Sequence, residues 1–193
     1  FTPRRHILLE SCSSGGNRFD LGMLCYSPQI WASDDTDPIE RLDIQSGLSY
    51  LYPQSTMGAH VSAAPHQQTL RDTPLSTRFN VAAFGVLGYE LELKYMTHAE
   101  LKELRGQIEF YKAHRRTLQF GRFYRFDERK DNKVHWQVCS CDGKEHIVGH
   151  FQKLCTASEG PDALCVHDLE PKAKYHLSCK RQSLFIKRLG GLV

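Results

Sequence analysis

Long apolar runs are missing from this 193-residue chain. No stretch approaches the roughly 20 consecutive apolar residues of a membrane-spanning helix, so no membrane partner is expected. An excess of one charge is missing too. Lys and Arg total 25 against 22 Asp and Glu, a formal net charge of +3. The basic residues fall in small scattered clusters (Arg4-Arg5, His114-Arg115-Arg116, Lys187-Arg188), which gives no continuous basic face and no expectation of nucleic-acid binding. Nor is there a regular cysteine framework. Seven cysteines make an odd number without repeating spacing, and reduced thiols in the cytoplasm are the default. No signal peptide and no initiating Met are visible, and both ends, Phe1-Thr2-Pro3 and Leu189 to Val193, read as cut from something longer.

A zinc knuckle is also lacking. Cys139, Cys141, His146, His150 and Cys155 lie close in sequence, but they give C-x-C and then H-x3-H around an Asp-Gly turn, not the usual C-x2-C pair. No metal and no cofactor are expected. What remains, 40% hydrophobic and 24% charged residues, is the composition of a soluble globular protein.

The positive content begins with His6 to Glu10, a continuous apolar run suited to a buried parallel strand. The small-residue loop from Ser11 to Arg18 follows, where backbone can approach a ligand closely, and then a short helix over 19–26. Ile30 to Ser33 is a second strand that runs straight into Asp34, Asp35 and Asp37. Asp37 suits the N-cap of the next helix, with Pro38 at its first position and Glu40 closing a capping box. That helix reaches Tyr52. Met57 to Ser62 is a third strand, and a polar loop over 63–72 leads to a helix over 74–84. Gly88 to Leu93 is a fourth strand. Thr97 and Glu100 form a capping box for a helix whose apolar face carries Leu101, Leu104, Ile108 and Tyr111 and which ends near His114. Four successive β-α units argue a parallel sheet, either half of a (β/α)8 barrel or doubly wound.

After His114 the pattern changes to alternation with period two. Leu118 to Phe126 and Val134 to Cys139 read as strands, Asp142-Gly143 as a hairpin turn, and 146–151, 163–167, 174–178 and 184–188 as further short strands. This is an antiparallel β domain, expected to be a sandwich.

The acidic strand end is the candidate site. One Asp suffices to cap a helix, so Asp34 and Asp35 are left over beside Trp31. Carboxylates delivered to a strand-to-helix junction are where α/β barrels place their chemistry.

Several stretches together resemble family 36 of the glycoside hydrolases, the bacterial and fungal α-galactosidases. Glu10 to Gly22 is similar to E-x-C-x-x-G-G-x-R-x-D-x-G, and Trp31 to Asp37 to W-x-S-D-x-T-D. Gln45 through Pro53, Gly58 to Ser62 and Gly88 to Leu91 follow in the family's order. The resemblance implies the second half of a (β/α)8 TIM barrel over 1–116, followed by an antiparallel β-sandwich domain over 117–193. It implies retaining hydrolysis of terminal α-D-galactosyl bonds in melibiose- or raffinose-type oligosaccharides. Asp34 would be the general acid/base, and Cys12, Gly15, Arg18 and Trp31 would meet the sugar. The nucleophile would lie in a K-W-D-x-N motif, which this chain lacks. Trp31 and Trp136 are its only tryptophans, and neither has those neighbours. The isolated piece is therefore expected to be inactive. The family also implies a homo-oligomer, often a tetramer. Two other readings stay open: a galactosyl-transferring relative of the raffinose-synthase kind, and a non-catalytic sugar-binding module.

Overall fold

The computed structural model describes residues 4, 6–12, 19–128, 132–154, 157, 158 and 164–179. Four parallel strands form the first sheet: β1 (Glu10–Ser11), β2 (Gln29–Trp31), β3 (Met57–Ser62) and β4 (Val86–Glu90). Their spatial order is 1-2-3-4. Right-handed crossovers between sequential neighbours put every connecting helix on one face. A doubly wound sheet reverses direction part-way and covers both faces, so the order decides for the barrel half.

The crossovers after β2 and β3 are α1 (Pro38–Leu48) and α2 (Leu75–Ala82), and α3 (His98–Phe120) leads from β4 to the second sheet. On the helix side, Ala59 and Val61 of β3 join Leu42, Leu75, Phe79 and Val81 to Phe84 in the core. The strand register places Glu10, Gln29, Trp31, Gly58, His60, Gly88 and Glu90 on the opposite face, the inner face of a barrel. Small residues leave room there. A Cβ on Gly58 would come 3.0 Å from Trp31 Cε3, and one on Gly88 would overlap the His60 ring.

The second sheet is antiparallel: β5 (Arg122–Glu128), β6 (Lys133–Cys139) and β7 (His146–Gln152), in that order. The β6–β7 connection turns at Asp142-Gly143, where Gly143 has φ +69°. This sheet shares the core of the barrel half. Trp136 is fully buried, with Phe84, Phe123 and Phe151 around its ring at centroid distances of 5.3, 6.0 and 5.2 Å. Its indole N–H donates to Ser46 Oγ on α1 at 3.0 Å. Arg125 reaches the end of α1 as well, donating to Ser49 O (2.8 Å) and Ser49 Oγ (3.1 Å), with its guanidinium 3.7 Å from the Tyr50 ring centroid.

Several expected boundaries move. The first strand covers Glu10–Ser11 rather than 6–10, and Leu8 is 85% exposed, because pairing starts only where β2 runs alongside. The helix expected over 19–26 is a single 3-10 turn, Met23–Cys25, whose Met23 N–H is capped by Asp20. The fourth strand begins at Val86, in register with Gly58, and stops at Glu90. The longest helix runs on to Phe120, so the alternation from Leu118 to Phe120 is helical; Thr117 and Leu118 are buried there. Gly121 is its C-cap, in extended backbone, and a Cβ there would press on Cys139 O and Thr117 O, both 2.5 Å away. Residues 164–167 and 174–178 are not strands. The backbone of His167 is bonded instead to the Gln137 side chain, through N–H to Oε1 (2.8 Å) and Nε2 to the carbonyl (2.7 Å). The strand expected at 184–188 lies outside the described residues.

The cysteines and histidines that lie close in sequence around the Asp-Gly turn divide between two places on the ladder. Cys139 Sγ sits 3.9 Å from His146 Nε2, whereas His150 Nδ1 lies 3.1 Å from His135 Nδ1 farther along the ladder. Cys155 lies outside the described residues.

Candidate active site at the strand ends

The C-terminal ends of β1 and β2 bring Cys12 and the Trp31–Asp37 segment to the same edge of the sheet. Cys12 follows β1 directly and is exposed. Gly15 and Arg18 lie outside the described residues. Trp31 is the last residue of β2. Its indole N–H donates to Asp34 Oδ1 at 2.8 Å, and its ring meets His60 at a centroid distance of 4.3 Å. The Asp34 carboxyl is exposed.

Each acidic residue of the cluster has a different partner set. Asp35 Oδ1 accepts from the Asp37 N–H (3.1 Å) and lies 4.0 Å from His66 Nε2. Asp37 is wholly buried. Its Oδ1 caps α1 by accepting from Ile39 N–H at 2.8 Å, and its Oδ2 accepts from Thr69 Oγ1 and from Arg71 Nη1 (2.6 Å). The N-cap and Pro38 are as the sequence predicts, but the capping box is not. Glu40 Oε1 turns to Arg71 and accepts from both terminal guanidinium nitrogens at 3.2 Å, a charge-assisted fork stronger than a single backbone contact. Arg71 thus belongs to the α1 N-terminus, and the loop over 63–74 is fastened there.

His66, buried in that loop, accepts at Nδ1 from the backbone N–H groups of Gln68 (3.3 Å) and Thr69 (3.4 Å). That leaves Nε2 to donate to Thr36 Oγ1 (3.0 Å), which donates to Ser62 Oγ (2.8 Å). Leu70, between Thr69 and Arg71, is held at φ 56°, a strained conformation for such a residue.

Burial pushes the Asp37 carboxyl up, but the hydrogen bonds from Thr69, Arg71 and Ile39 outweigh it and hold the group below the usual carboxylate range. A depressed folded-state value means that Asp37 contributes stability above about pH 4 and loses that contribution as pH falls further. Acid unfolding curves should therefore show Asp37→Asn destabilised at neutral pH and flatter than wild type below pH 4. Parallel curves for the two proteins would contradict the assignment.

Sequence reasoning missed Arg41. It lies on α1, is 2% exposed, and among the described residues hydrogen-bonds only to carbonyl oxygens: Nε to Asp35 O (2.7 Å), Nη2 to Ser33 O (2.5 Å) and Nη1 to Gly58 O (3.0 Å). Its guanidinium carbon lies 5.1 Å from the Trp31 ring centroid. Desolvation pulls the guanidinium down to about 10, with the charges of Asp35 and Asp34 opposing the drop. The available signal was a charged residue next to Leu42 in a helix whose packed face needs apolar groups.

The sequence model of the Melibiase family matches residues 2–121, and that of the Glycosyl hydrolase family 36 C-terminal domain matches 133–190. The chain belongs to the melibiase family. Among its relatives, the α-galactosidase AgaA of Geobacillus stearothermophilus is 45% identical over 173 residues, and α-galactosidase 1 of Pediococcus pentosaceus 46% over 175. These alignments take in 89% and 90% of this chain but 24% of each relative, so the melibiase chain described here spans about a quarter of their length. The crystal structure of the Lactobacillus brevis α-galactosidase superposes with a TM-score of 0.85 at 48% identity, covering 88% of this chain and 23% of that one. A crystal structure of a doubly substituted variant of the Geobacillus stearothermophilus enzyme in complex with raffinose gives 0.85 at 45%, covering 88% and 24%. The architecture is the second half of a (β/α)8 barrel followed by an antiparallel β-sandwich domain, of which the described residues form one sheet.

Proposed function

We propose that this melibiase chain carries the acid/base half of a retaining α-galactosidase. The whole protein hydrolyses terminal α-D-galactosyl residues of melibiose- and raffinose-type oligosaccharides, in the cytoplasm and as a homo-oligomer. The observation that carries the reading is Asp34. It presents an exposed carboxyl at a barrel strand end, one oxygen held by Trp31 and the other without a hydrogen bond among the described residues. Asp35 and Asp37, by contrast, are engaged by the start of α1.

Asp34 protonates the departing glycosidic oxygen and then takes a proton from the incoming water. A second carboxylate outside this chain forms the glycosyl-enzyme, about 5–5.5 Å from Asp34 as retention requires. Cys12, Gly15, Arg18 and Trp31 meet the galactose. The domains divide near 116, with the catalytic part before and the β domain after. Raffinose bound to a relative 45% identical supports the choice of substrate.

The test is proton NMR of raffinose hydrolysis by the full-length protein. The first galactose released should be the α anomer, and the 193-residue chain alone should release none. Initial β-galactose, or turnover by the isolated chain well above buffer, would contradict the proposal.

A further inference from the structure

Trp31 is a proposed sugar contact, yet its polar atom is spent on Asp34. The indole N–H lies 2.8 Å from Asp34 Oδ1, and among the described residues this is the one hydrogen bond to that carboxylate. An exposed Asp side chain otherwise samples several rotamers, and the bond selects one of them.

The backbone around Asp34 is fixed as well. Arg41 takes the carbonyl on each side of it, Ser33 O and Asp35 O, and ties both to Gly58 O of the neighbouring strand. The same guanidinium lies over the Trp31 ring. A buried cation held by carbonyls, beside an exposed acid, is a costly arrangement for packing. Its geometry serves one end: the strand-end turn that aims Asp34.

We propose that Trp31 and Arg41 are a positioning pair for the Asp34 proton. The proposal rests on the reading of Asp34 as acid/base. With Oδ1 accepting the indole N–H, the dissociable proton resides on Oδ2. In the first step the Oδ2–H bond breaks and the proton joins the glycosidic oxygen. The bond from the anomeric carbon to that oxygen breaks with its electron pair staying on oxygen, while the second carboxylate bonds to the anomeric carbon. In the second step water oxygen bonds to the anomeric carbon, the second carboxylate departs with its electron pair, and Oδ2 takes the water proton.

Trp31→Phe separates positioning from sugar contact, because phenylalanine keeps an apolar six-membered ring and loses the N–H together with the smaller ring that carries it. In the full-length enzyme it should lower kcat/KM for raffinose roughly 10–100-fold, the effect of one hydrogen bond to a charged group. For 2,4-dinitrophenyl α-galactoside, whose leaving group needs no proton, the loss should stay within about 3-fold. Inhibition by galactose and the melting temperature should change little. Arg41→Lys should show the same split. Should that variant not fold, Gly58→Ala, whose new methyl crowds Trp31 Cε3, replaces it with the same expectation.

Equal losses on both substrates, weakened galactose inhibition in proportion to the loss, or no loss in Trp31→Phe would each overturn the proposal. Wild-type protein without α-galactosidase activity would remove the acid/base reading itself, a different result from an active wild type with an indifferent variant.

Discussion

Asp34→Ala in the full-length protein should lower kcat/KM for raffinose by about 10²–10⁴-fold, the usual value of general acid help. An activated aryl galactoside should lose far less in the first step, because its leaving group departs without a proton. The second step would then limit turnover for lack of a base. Added azide, which needs no deprotonation to attack, should restore the rate and yield the galactosyl azide. Asp35→Ala should behave differently. Its carboxylate accepts from the Asp37 N–H and sits near His66, so its loss loosens the start of α1 and lowers all rates together. Near-normal raffinose hydrolysis by Asp34→Ala, or Asp35→Ala as the more leaving-group-sensitive variant, would move the acid/base role to another residue.

The largest stability effect is expected at Trp136. It is fully buried among Phe84, Phe123 and Phe151 and bonded to Ser46. Trp136→Ala should cost about 3–5 kcal/mol, through lost burial plus the cavity left behind. Trp136→Phe keeps a ring against Phe84 and strands the Ser46 hydroxyl, for a smaller cost of about 1–2 kcal/mol. Urea unfolding, followed by probes in both sheets, measures these losses. A cost below about 1 kcal/mol for the alanine variant would show that the two sheets do not share a working core.

What the sequence made legible is what short-range chemistry decides. Met57–Ser62 is a strand with the bounds expected, because an apolar run sits between turn signals. Asp37 with Pro38, and Thr97 with Glu100, mark helix starts because capping partners lie within three residues. Asp34 stood out because one cap cannot use three carboxylates. The misreadings concern partners set by the tertiary fold. Glu40 has a good local partner and leaves it for Arg71, 31 residues away. Leu118 to Phe120 fits either period, and burial of Leu118 against the second sheet keeps those residues helical. Residues 164–167 alternate like a strand, yet His167 spends its backbone groups on Gln137. Arg41 could not be assigned in advance, since the three carbonyls that hold it converge only after β2, β3 and α1 have assembled.

The grip of the second sheet on α1 bears on how such enzymes can be recombined. Gly121, where helix gives way to strand, is the obvious point at which to join the barrel of one relative to the β domain of another. The physical seam runs elsewhere, through Ser46, Ser49, Tyr50 and Phe84 on one side and Arg125 and Trp136 on the other. A chimera crossed at Gly121 inherits half of each pairing. Chimeras that carry these six positions together from one parent should keep the stability of that parent, whatever is exchanged on the exposed strand faces.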